Sequence, residues 1–201
     1  MTKKMQDYYD PFEKWQWRTF ERGDLLNPIE FVNSHKDYMF FVGTDSQNHK
    51  RRGRRHCYFT SAIVAYKMGS GGVGIIHSDK VPIITNLHQR LMIEAMRSLE
   101  CAWFINQRLV IIKRENIVEE IKQSKQNINQ EELEIMVEIR MQDDTLVAIC
   151  KPEIHLDVNM DEHYESARYR KELVGMVASQ GFQVVCKPNA WVASKLADRR
   201  C

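Results

Sequence analysis

Three strand-like runs follow one another with little chain between them, and this spacing constrains the fold more than any other feature of the sequence. "YMFFVGTD" (38–45) is almost continuously apolar, as in a strand covered on both faces. "CYFTSAIVAYKM" (57–68) reads as a second strand, "GSGG" (69–72) as a turn, and "VGIIHSDKV" (73–81) as a third strand. Short connections join antiparallel neighbours, so these three segments predict a meander.

Beyond residue 81 the pattern changes. Residues 85–104 have a helical period, and the charged, Gln-rich stretch 115–142 reads as two further helices. "AICKPEIHLDV" (148–158) is a strand, and 161–180 is a helix stopped by Gly181. "FQVVCKP" (182–188) is a last strand, and "NAWVASKLADRR" (189–200) a closing helix with Asn189 as its cap. The expected fold is α/β: a mixed five-stranded sheet, three antiparallel strands and then parallel additions, flanked by helices. Upstream, "DPFE" (10–13) and "NPIE" (27–30) each offer a cap, a Pro at the first helical position and a Glu. Residues 1–37 are therefore expected to form an N-terminal helical extension, and 38–201 the main domain. Trp15, Trp17 and Phe20 of the extension either pack on that domain or face a protein partner.

The five cysteines are scattered and form no C-x-x-C, which argues against a disulfide framework and a cysteine zinc site. His49, His56 and Cys57 make an incomplete zinc set. A reducing, cytoplasmic setting is expected. The N-terminus has no apolar signal-peptide core, and no apolar run nears the roughly 20 residues that span a bilayer. "GSGGVG" lacks the G-K-[ST] ending of a phosphate-binding loop.

Four acids stand in suggestive places: Asp45 at the end of the first strand, Glu94 in the first long helix, Asp157 at the end of the fourth strand, and Asp198 in the closing helix. Ligands of open α/β sheets gather at strand ends, so Asp45 and Asp157 meet if their strands are neighbours. At about 100° per residue, Glu94 falls at the edge of the buried stripe of Leu91, Ala95, Leu99 and Trp103. Carboxylates brought together repel and must take up protons or a cation. Hard ions such as Mg²⁺ favour oxygen donors of this kind, and two of them can clamp a phosphodiester. Taken singly, each acid also reads as a turn, cap or solvated residue.

Net charge is only +2, so affinity for a polyanion must come from local clustering. Lys50, Arg51, Arg52, Arg54 and Arg55 supply it around Gly53, between the first two strands. The alternative is a solubilising loop tip. His155 shares a strand face with Asp157 and either partners a metal ligand or is a satisfied core histidine. Lys187 and Lys195 either approach the reacting bond or balance the acids.

"VGTDSQNH" (42–49), "LHQRLMIEAMRSLE" (87–100), "EIHLDVN" (153–159) and "VGMVASQGFQVVCKPNAWVASKLADRR" (174–200) resemble the YkuK-type family of the ribonuclease H-like superfamily. The likeness runs from about residue 38 to residue 201 and is weak over 104–147. It implies a ribonuclease H-like domain whose four acids, by position, are Asp45, Glu94, Asp157 and Asp198. It also implies Mg²⁺ or Mn²⁺ and hydrolysis of phosphodiester bonds in RNA, an RNA–DNA hybrid or structured DNA. Two other readings stay open: a catalytically silent nucleic-acid-binding protein of the same fold, and a scaffold that holds a protein through the Trp-rich segment.

Overall fold

The computed structural model describes residues 14–51, 54–125, 128–142 and 151–197. Among them, six strands form one mixed sheet in the order β1-β4-β3-β2-β5-β6. The strands are β1 (Arg18–Thr19), β2 (Met39–Arg51), β3 (Arg54–Lys67), β4 (Gly71–Pro82), β5 (Glu153–Leu156) and β6 (Gln183–Cys186). β2, β3 and β4 are the antiparallel meander, and β5 and β6 add in parallel, as the sequence pattern predicts. The sixth strand is the unforeseen one: β1 pairs with β4 through Arg18–Ile76 and Thr19–Ile75. Two residues carry no periodicity, so the sequence could not announce it.

β2 is longer than expected. It runs past Asp45 to Arg51, paired with β3 along its whole length. Asp45 therefore does not end its strand. It marks instead the point where parallel pairing with β5 stops, because the last register pair is Thr44 with Leu156.

Helix α1 (Pro28–Ser34) is capped by the Asn27 side chain, which accepts from Ile29 N–H. Helix α2 spans Leu87–Ser124, capped by Asn86. It is a single helix where a short helix and the start of a second were expected. Nothing from 87 to 124 is Gly or Pro, so no residue forces a break. Its first half lies on the sheet through Leu91, Ala95, Ala102 and Ile105. Its second half pairs with α3 (Gln130–Met141) around a separate core of Ile117, Ile121, Leu133 and Val137. The predicted helix over 161–180 is a 3₁₀ turn (Glu165–Tyr169) followed by α4 (Arg170–Ala178), closed by Gly181 at φ 78°. The closing helix is a π-helical segment, Val192–Ala197.

The extension is mostly not helical over its described part. "DPFE" lies outside the described residues. Trp15 and Trp17 are buried in the main core, with 6% and 1% of their surface exposed, so they offer no surface to a partner. They are held by an ionic centre under them. Arg97 of α2 is fully buried and grips Asp79 with both terminal nitrogens. Its guanidinium lies between the rings of Phe59 (4.8 Å) and Trp15 (5.3 Å). His77 stacks on Trp15 at 4.8 Å and bonds the Gln16 carbonyl through Nδ1 at 3.1 Å.

Candidate active site

Alternation along β2 sorts its side chains between two layers. Thr44 and Ser46 face α2: the Ser98 hydroxyl lies 3.1 Å from Thr44 Oγ1, and Ser46 Oγ donates to Glu94 Oε1 at 2.5 Å. Gly43 faces the other way, against the terminal segment. A Cβ at residue 43 would stand 2.7 Å from the backbone nitrogen of Ala193, so this close approach admits only glycine. Asp45, two residues on, shares the Gly43 face and is buried.

Asp157 is the first residue after β5, as Asp45 is the first residue of β2 past the parallel register. The two aspartates thus stand at the same end of neighbouring strands. Lys187 Nζ lies 2.6 Å from Asp157 Oδ1. This is an ion pair rather than a directed hydrogen bond, since that buried oxygen accepts none among the described residues.

Glu94 reaches the site from α2 and is buried. Its carboxyl is held well above the ordinary 4.5, first by burial and next by the charge of Asp45, with Asp157 adding to both. The Ser46 hydroxyl and Arg90 oppose this shift. Arg90 Nη1 donates to the Ser46 carbonyl at 3.0 Å and to its hydroxyl at 3.3 Å, tying α2 to β2 beside the acids. Sequence reasoning missed Ser46 and Arg90. The one available signal was that Ser46 shares a face with Thr44 on the strand that carries Asp45.

His155 does not reach out as a ligand. Its Nδ1 accepts the Val192 N–H at 3.1 Å, which places the ring proton on Nε2, and Nε2 donates to Glu153 at 2.8 Å. Burial lowers its pKa below 6.5 against the opposing pull of Glu153. With both nitrogens committed, it pins the terminal segment to β5. Phe41 and Trp191 pack around it at 5.6 and 5.5 Å. Lys195 is exposed on that segment. Asp198 lies outside the described residues, as do Arg52 and the side chains of Lys50, Arg51 and Arg54; Arg55 is exposed. His88 of α2 is half-exposed and bonds Glu172 of α4 at 3.0 Å.

Among the described residues, no three His, Cys, Asp or Glu side chains are close enough to form an ion-binding set. The donors nevertheless suit a hard divalent ion in kind: all are carboxylates, and Glu94 is raised by burial and by the charges of both aspartates. Among the described residues no helix is long and apolar enough to cross a membrane.

A six-stranded mixed sheet flanked by helices, with a meander and two parallel additions, defines a mixed α/β protein. A family model described as ribonuclease H-like matches residues 26–201, and the chain belongs to that family. No curated protein matches it, and no solved structure does.

Proposed function

We propose that the protein is a divalent-metal-dependent nuclease that hydrolyses phosphodiester bonds of RNA, an RNA–DNA hybrid or structured DNA. The observation that carries this reading is the placement of Asp45 and Asp157 as the next residues beyond one parallel register, with the buried Glu94 carboxyl raised first by its burial and then by the charges of both. Asp45, Glu94 and Asp157 would hold Mg²⁺ or Mn²⁺, and Asp198 is proposed as the fourth acid. When bound, the metal supplies an activated water and neutralises charge on the phosphate. Ser46 and Arg90 orient Glu94, and His155 sets the seat of the terminal segment that leads to Asp198. Lys187 balances Asp157 in the metal-free protein. The basic run Lys50, Arg51, Arg52, Arg54 and Arg55 grips the backbone of the polyanion. A cytoplasmic setting accords with Cys57 and Cys101, free thiols that burial raises, Cys57 to about 11.

The test is a panel of labelled RNA, hybrid and DNA substrates with Mn²⁺, wild type against Asp45→Asn. Wild type is expected to cleave, and the variant to lose more than about 100-fold of the activity. One observation favours the silent binder of the same fold: an ammonium already neutralises Asp157. That reading wins if no member of the panel is cut while salt-sensitive binding is equal in the two proteins.

A further inference from the structure

Past the Asp45–Thr60 pair, the β2–β3 hairpin continues for six more register pairs, to Arg51–Arg54. Its two faces differ. One is covered, with Cys57 and Phe59 packed against Ile84 and Ile93 in a small core of their own. The other, which Asp45 shares, carries Tyr58 half-buried between two exposed side chains, His49 and Lys80. The His49 ring stands at 88° to the tyrosine ring with centroids 5.3 Å apart. Lys80, the register partner of Tyr58 on β4, holds its Nζ 6.0 Å from the ring centroid. Thr60 is the register partner of Asp45, so Tyr58 lies two residues further out on the same face, about 7 Å along the strand.

We propose that Tyr58, framed by His49 and Lys80, is a platform on which a single-stranded nucleic acid stacks one unpaired base beside the phosphate presented to Asp45. The proposal rests on the nuclease reading and names its substrate as an unpaired strand. An aromatic face accepts any base, which gives affinity without sequence preference. Lys80, whose Nζ lies over the ring, turns to meet the adjoining phosphate as the base takes the ring face. A base inside a duplex is already stacked and cannot reach the ring without being extruded.

The experiment uses the full chain in EDTA, so that no strand is cut. A single-stranded oligonucleotide carrying 2-aminopurine and a blunt duplex of the same sequence are titrated by fluorescence. Wild type is expected to bind the single strand more tightly and to quench the probe. Tyr58→Ala is expected to weaken single-strand binding about ten-fold and abolish the quenching, with duplex binding unchanged. Tyr58→Phe is expected to retain both, which separates loss of the ring from loss of the fold. Unchanged single-strand affinity in Tyr58→Ala overturns the proposal, as does equal loss on both probes or no binding of the single strand by wild type. Cleavage with Mn²⁺ is scored separately. Cleavage of single strands that ignores Tyr58→Ala removes the platform and leaves the nuclease standing. Tyr58-dependent quenching by a wild type that cuts nothing supports the platform and removes the nuclease.

Discussion

Glu94 is buried among like charges, and the proton that relieves it links metal-free stability to pH. Its folded pKa lies above the ordinary 4.5, so the native state holds this proton more tightly than the unfolded chain does. Its contribution is complete below pH 4.5 and is lost as pH rises from there through the folded value. Glu94→Gln keeps an oxygen to accept from Ser46 and has no charge to lose. At pH 7 in EDTA it is expected to raise Tm by about 2–4 °C, the shift that roughly 1 kcal/mol produces in a chain of this size, and to flatten this descending limb. Calorimetry across pH checks it; an unchanged Tm at neutral pH would mean that the acids do not crowd. The positions of Asp157 just past its strand and of Glu94 on its helix were legible in the sequence, because they follow from short-range periodicity, whereas Asp45, expected to end its strand, lies within β2. Ser46 and Arg90 were not legible, since their bonds join residues 48 and 44 positions apart, and only the packed fold brings those together.

The elements explain how the terminal segment is seated against β2. The terminal segment lies against β2 because Gly43 leaves room for the Ala193 backbone and because His155 takes up the Val192 N–H. A glycine within an apolar strand is itself a sequence signal for such an approach, and "VGTD" carries it. Gly43→Ala places a methyl into backbone rather than into a yielding side chain. It is expected to cost about 1–3 kcal/mol and to speed hydrogen exchange over Val192–Ala197, while β3 and β4 keep their protection. Uniform loss of protection, or none, would show that the contact does not seat this segment. The sequence placed the meander correctly because its apolar runs are long, and the two short parallel strands because each apolar run is set off by a helix and a turn, though β5 is only Glu153–Leu156 of the expected 148–158. It misjudged the ends of β2 and α2. A polar, basic hairpin arm looks like a loop, and charged residues on an exposed stretch of helix resemble a second helix.

At the scale of the whole molecule, the described part of the N-terminal segment, from residue 14, packs into the main core and sheet. β1 extends the sheet at β4, and Trp15 closes the cover over Arg97. The packing of Trp15 and Trp17 on the domain was among the expectations, but β1 and the arginine beneath the tryptophans were not, because a buried arginine looks like any surface charge on a helix. Asp79→Ala takes from the buried guanidinium the carboxylate it grips, and is expected to destabilise by about 3 kcal/mol in denaturant titration. Arg97→Met removes the buried charge and fills its space, and is expected to cost less. A reversed order would mean that the pair is not what secures the segment.

On the proposed nuclease reading, the overhang of the β2–β3 arm would serve as a measuring length. From Asp45 to Arg51 is six residues of strand, about 20 Å. A stacked strand rises about 3.4 Å per nucleotide, so the gap matches roughly six of them. On that reading, oligomers shorter than this would reach the acids or the far end of the arm but not both, and would lose the gain of holding on at two points. In a ladder of substrates of increasing size, KM should fall steeply up to about that size and level off beyond it. A KM indifferent to size would mean that the arm is a bystander, and the gauge would have no scale.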